Sequence, residues 1–142
     1  MSFTGRFDYQ LDEKNRFRMP SKLKDSLKGS SLRLFQLPGK KHFTIVTAEK
    51  FDELLTNKFG EFSPFGNDSK IQAALRIIAA NTVSIEEDNQ GRYTLPKKAR
   101  EQCGFNKNIV FIAVQNVIEV WPLEVYEEQL TQWQEEAMEL FN

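Results

Sequence analysis

One pattern occurs twice in this sequence and restricts the folds open to it. Residues 12–16 read DEKNR and residues 88–92 read DNQGR, so that Asp, three residues and Arg are each time followed four residues later by a proline, Pro20 or Pro96. A shift of 76 residues (88 − 12) lays 11–22 over 87–98, placing Phe17 on Tyr93, Met19 on Leu95 and Lys22 on Lys98. The match resumes at a shift of 75, where 45–55 lies over 120–130 with Glu49 on Glu124, Phe51 on Tyr126 and Leu55 on Leu130. Order kept over so long a stretch predicts two copies of one supersecondary unit. The expected division is a first repeat over 3–60, a connecting helical region over 61–81 and a second repeat over 82–142, both repeats forming one compact unit.

Each copy reads as strand, turn, strand, short helix, hairpin, helix. Residues 7–11 and 17–19 are the predicted strands around the first turn, and 83–86 and 93–95 those around the second. Short helices open at Pro20 and Pro96 and stop at Gly29 and Gly104, the expected polarity of helix punctuation. The runs 31–37 and 42–46 form one strand pair, and 108–114 with 117–121 another, turned by Gln115 and Asn116. Longer helices are predicted over 48–59, 68–80 and 122–140, with Asn67 or Asp68 capping the second. Their apolar stripes (Phe51, Leu54, Leu55 and Phe59; Ile71, Ala74, Leu75 and Ile78; Tyr126, Leu130, Trp133, Ala137 and Leu140) are expected in the core. The last stripe could also seat a neighbouring subunit.

The repeated motif makes physical sense as a turn. Asp at its first position, Asp12 or Asp88, accepts bonds from backbone N–H groups ahead of it, and a fourth residue at positive φ suits Asn15 or Gly91. A tight hairpin therefore explains the Asp and Asn/Gly positions. It does not require the arginines that follow. Arg16 can pair with Asp12 across the turn base, which need not exclude another role, or can emerge at the hairpin mouth to meet a phosphate or a guanine edge, both of which match its planar fork of donors. Lys14 at the tip and Arg18 two residues along the strand would extend such a patch. Their equivalents in copy two, Gln90 and Thr94, are neutral, so Arg92 there would make a weaker or different contact.

Charge distribution sharpens the question. Net charge is −1, yet six Lys or Arg against one acid lie between Lys14 and Lys28, and four against none between Arg92 and Arg100. Six Glu with no Lys or Arg between Pro122 and Asn142 cancel them. The basic charge thus sits in the repeated stretches.

Other chemistry is poorly supplied. The only His, His42, is expected on a strand face and the only Cys, Cys103, as a small buried residue, with a reducing cytosol in keeping. No phosphate-binding loop, dinucleotide fingerprint or metal-ligand spacing is present, so no enzyme, cofactor, metal or small-molecule substrate is expected. Neither a signal peptide nor a membrane span is predicted, and 40% apolar residues, 12 of them Phe, suffice for a core.

The segments FTGRFDYQLDEKNRFRMPSKLKDSL and VSIEEDNQGRYTLPKKAREQCGF resemble the two signature segments of the MraZ family, and NVIEVWPLEVYEEQL resembles its C-terminal strand and helix. The resemblance covers about residues 3–130. It implies an α+β fold of the AbrB/SpoVT type: a tandem-repeat swapped-hairpin (double-split) β-barrel with peripheral helices. It further implies a cytoplasmic, nucleoid-associated homo-oligomeric ring on double-stranded DNA. Such a ring would bind short tandem repeats in its own promoter and repress the division and cell-wall gene cluster. Carried over by position, Lys14, Arg16, Gln90 and Arg92 would contact DNA. Three departures stand out: Asn15 in place of the family's glycine, Glu87 where an apolar residue is usual, and an unusual middle hairpin over 37–51. The rival expectation is an AbrB-type antitoxin or transition-state regulator with another operon and partner, marked by a single motif and a disordered tail.

Overall fold

The computed structural model describes residues 2–66 and 68–142. The first copy contains strands β1 (Gly5–Gln10) and β2 (Arg16–Arg18), helix α1 (Ser21–Leu27), strands β3 (Leu32–Phe35) and β4 (Phe43–Thr47), and helix α2 (Ala48–Phe59). Helix α3 (Ser69–Ala80) follows. The second copy repeats the order as β5 (Thr82–Ile85), β6 (Arg92–Thr94), α4 (Lys97–Cys103), β7 (Asn108–Val114), β8 (Val117–Pro122) and α5 (Leu123–Ala137), then a single 3-10 turn, Met138–Phe141.

Local chemistry sets most boundaries. Pro20 and Pro96 immediately precede α1 and α4 with φ of −50° and −58°, preset for the helix and lacking an N–H that would have had no partner. Gly104 ends α4 in the left-handed region at φ 73°. The Thr47 hydroxyl accepts from the Lys50 N–H to cap α2. Asp68 caps α3, its carboxylate accepting from the N–H groups of Lys70 and Ile71. Asn67, the other candidate for that cap, lies outside the described residues.

The sheets are assembled between copies. A six-stranded antiparallel sheet has the order β1-β7-β8-β4-β3-β5, and β2 pairs with β6 in a separate two-stranded ribbon. Thus β1 of copy one pairs with β7 of copy two, and β5 of copy two pairs with β3 of copy one. The two central pairings map onto themselves when the copies are exchanged. Arg16, Phe17 and Arg18 face Thr94, Tyr93 and Arg92, while Phe43, Thr44 and Ile45 face Val120, Glu119 and Ile118.

This topology corrects two expectations. The strands flanking each repeated turn do not form a hairpin with one another, because β1 and β2 are drawn into different sheets. Nor is the main sheet a closed barrel: the three-residue strands β2 and β6 bond to each other instead of joining β1 to β5, which remain edges.

The main core lies between the ribbon, the short helices and the inner face of the sheet. Phe17, Leu23, Phe43, Ile45, Leu95, Ile109, Phe111 and Ile118 are all buried there. A smaller cluster on the outer face packs Tyr126, Leu130 and Trp133 of α5 on Val110 and Trp121. The expected stripes are only partly covered. No residue of α2 is fully buried, although Phe51 meets Phe35 edge-on at 5.4 Å. In α3 Leu75 and Ile78 are buried. Leu140 is 85% exposed, because the chain beyond α5 runs past the sheet that covers Tyr126.

Candidate nucleic-acid interface

The two repeated turns are built alike. In the first, the Asn15 N–H donates to the Asp12 carbonyl (3.0 Å) and the Asp12 N–H to the Arg16 carbonyl (3.0 Å). One carboxylate oxygen of Asp12 accepts from the N–H groups of Lys14 and Arg16, both at 2.9 Å. In the second, Asp88 accepts likewise from the N–H groups of Gln90 (2.8 Å) and Arg92 (3.0 Å). The φ values of Asn15 and Gly91, 59° and 75°, are the left-handed ones the turn needs. These bonds hold both carboxyls below the usual Asp pKa. For Asp12 the Arg16 N–H contributes most, then the Arg16 side chain; for Asp88 it is the N–H groups of Arg92 and Gln90.

The β2–β6 ribbon sets the two turns side by side, and the Leu95 N–H donates to the Asn15 carbonyl at 2.8 Å. Four charges then alternate across the copies. Arg16 Nε donates to Asp12 Oδ2 at 2.8 Å, and Arg16 Nη1 lies 4.0 Å from Asp88 Oδ2. Arg92 Nη1 reaches the same Asp12 oxygen at 3.5 Å, its Nε lies 3.7 Å from Asp88 Oδ2, and its Nη2 donates to Gln90 Oε1. The ion pair weighed for Arg16 is therefore present, and it extends across both copies. Each arginine side chain keeps about a fifth of its surface exposed. Both Nη groups of Arg16 make no hydrogen bond among the described residues.

Around this centre the remaining cations are freer. Lys14 and Arg18 are exposed, and Arg18 Nη1 donates to the Gln90 carbonyl at 2.7 Å, so copy one reaches onto the copy-two turn. Gln90 and Thr94 are also exposed. Lys24 and Glu87, which were not singled out as site residues in the sequence, join the cluster through an ion pair of 3.3 Å. One clue was available: the 76-residue shift lays Lys24 on Arg100, a cation at the same place in both copies.

The other candidate groups lie elsewhere. His42 stacks on Trp121 at 4.3 Å, with Nε2 3.3 Å from Glu119 Oε2. Cys103 is buried, and burial pushes its thiol up to about 11. No group of three or more His, Cys, Asp or Glu among the described residues could hold a metal ion. No helix among them is long and apolar enough to cross a membrane.

Comparison with known proteins gives a consistent family. Residues 78–140 match a family model described as "MraZ protein, putative antitoxin-like". The chain is 34% identical over 128 residues to the Transcriptional regulator MraZ of Mesomycoplasma hyopneumoniae, covering 90% of this chain and 84% of that one. It is 32% identical over 141 residues to the protein of the same name from Dehalococcoides mccartyi, covering 97% and 94%. The one from Pediococcus pentosaceus is 31% identical over 140 residues, covering 94% and 90%.

Proposed function

The chain belongs to the MraZ family of transcriptional regulators, and from that membership we propose that it is a sequence-specific double-stranded-DNA-binding repressor. In this reading its operator is a set of short tandem repeats upstream of its own division and cell-wall gene cluster. The observation that carries the reading is the β2–β6 pairing, which brings the two turns together with Arg16 and Arg18 at alternate positions of one strand and Lys14 exposed in the turn beside them. We read the symmetrical exchange of β1 and β5 as the AbrB-like swapped-hairpin arrangement within one chain, with repeats 3–60 and 82–142 folding together through the linking region 61–81.

The residues divide their work by geometry. Asp12 fixes Arg16 through Nε, and once Nη1 gives up its looser 4.0 Å contact with Asp88 the two Nη groups lie end-on against a guanine edge. A bidentate contact there contributes roughly 1–3 kcal/mol of discrimination. Lys14 and Arg18 neutralise phosphates. Gln90 and Arg92 serve as a weaker second contact, since Arg92 is more fully engaged by its neighbours. A single protomer binds weakly, and a ring of protomers on spaced repeats binds tightly because each later contact is intramolecular. The antitoxin alternative is less well supported, because the segment after Pro122 is the helix α5 and not a disordered tail.

The test is a titration of a duplex from upstream of the gene at several salt concentrations, with Arg16→Ala and Arg16→Lys. Both variants are expected to lose about 5- to 150-fold in affinity for that duplex, since Lys lacks the fork. Unchanged affinity and salt slope in Arg16→Ala would remove Arg16 from the interface.

A further inference from the structure

Gly91 closes the second turn, and two cations of the first copy converge on it. A β-carbon placed at Gly91 would lie 3.3 Å from Lys24 Nζ, 3.4 Å from Arg18 Nη1 and 3.8 Å from Glu87 Oε2. Glu87 Oε2 itself lies 3.3 Å from Lys24 Nζ. The Lys24 ammonium thus holds the Glu87 oxyanion beside a bare glycine, with the Arg18 guanidinium, bonded to the Gln90 carbonyl, on the same glycine; an ammonium so placed suits a phosphate oxygen as well as a carboxylate.

Glu87 has no other evident structural duty. The turn is held by Asp88, and Lys24 is the only ion-pair partner of Glu87 among the described residues. Its counterpart under the 76-residue shift is Leu11, which is buried in the core, whereas Glu87 points to solvent. Both Lys24 and Glu87 keep nearly half their side-chain surface exposed, so the pair is screened and opens at little cost.

We infer that Glu87 is a built-in competitor for DNA phosphate, occupying in the free protein a seat formed by Lys24 beside Gly91. The inference rests on the DNA-binding reading above and adds to it a residue that limits affinity. DNA must displace the carboxylate before Lys24 can neutralise a phosphate and free the counterion condensed on it.

The experiment measures binding of the 142-residue chain to the upstream duplex and to an unrelated duplex of equal length, across a salt series. The proteins are wild type, Glu87→Gln, Glu86→Gln, and Lys24→Gln with and without Glu87→Gln. Glu86 is the charge-matched control, since it is exposed and makes no ion pair among the described residues. Glu87→Gln is expected to bind about two- to fivefold tighter, the scale of an exposed ion pair, with the salt slope steeper by up to about 0.9. Glu86→Gln stays near wild type, and the gain vanishes in the Lys24→Gln background. If wild type binds but Glu87→Gln gains no more than Glu86→Gln, or its gain survives without Lys24, the competitor role is wrong and the DNA-binding reading stands. Binding of neither duplex by any of the proteins at low salt sinks both.

Discussion

Phe17 offers a direct test of whether the two copies fold as one unit. It is 2% exposed, stacks on Tyr93 of the other copy at 5.6 Å, and meets Phe111 of β7 at 5.7 Å. It therefore ties the ribbon to the main sheet through aromatic contacts to copy two. Phe17→Ala removes that stack and leaves a cavity, at a cost of about 3–5 kcal/mol. An unfolding entropy of about 2.1 cal/mol/K per residue gives about 0.3 kcal/mol/K for 142 residues, so Tm should fall by about 10–17 °C. The assay uses two signals: far-UV circular dichroism for the whole chain, and fluorescence of Trp121 and Trp133, which both belong to the second copy. Melting at two protein concentrations separates folding from any assembly. Both signals should drop together in a single transition. A Trp transition that stays at the wild-type temperature while the dichroism splits in two would refute the cooperative reading, and a fall in Tm below about 3 °C would refute the packing argument.

Two other outcomes follow from the charges and the thiol. Asp12 and Asp88 have folded pKa values below the ordinary 3.8, so the unfolded chain binds the extra protons; their stabilisation is fully present above that value and is lost as pH falls through the folded pKa. Denaturant titrations between pH 6 and about 2.5 should therefore show an acid limb that becomes shallower in the double variant Asp12→Asn, Asp88→Asn; an unaltered limb would contradict the turn geometry. Cys103, buried with its thiol pushed up to about 11, should react slowly with a disulfide reagent at pH 8 in the native protein and rapidly after unfolding. Equal rates in the two states would show that the α4 packing is wrong.

What could be read along the chain was local. The α2 boundaries, the β7 strand, the proline starts of α1 and α4, and the glycine stop of α4 all follow from residues within a few positions of one another. The turn chemistry of Asp12, Asn15, Asp88 and Gly91 was legible for the same reason. The doubled motif was legible too, since it is a statement about the sequence itself. Partial burial of the α2 stripe and exposure of Leu140 were not, because an amphipathic pattern gives the side of a helix that prefers cover and not the extent of the sheet that supplies it.

Pairing between copies was decided only in three dimensions. The segment 7–19 reads as an ordinary hairpin, and nothing within it says that β1 will bond to β7 and β2 to β6, each more than 70 residues away. That exchange lays the basic side chains of copy one against the acidic turn of copy two. Hence Arg16 shares two aspartates with Arg92, and Lys24 meets Glu87. A strand's edge accepts any partner with free N–H and C=O groups, so the choice falls to whichever pairing buries the Phe17, Tyr93 and Phe111 side chains together. That burial belongs to the assembled core and to no single stretch of residues.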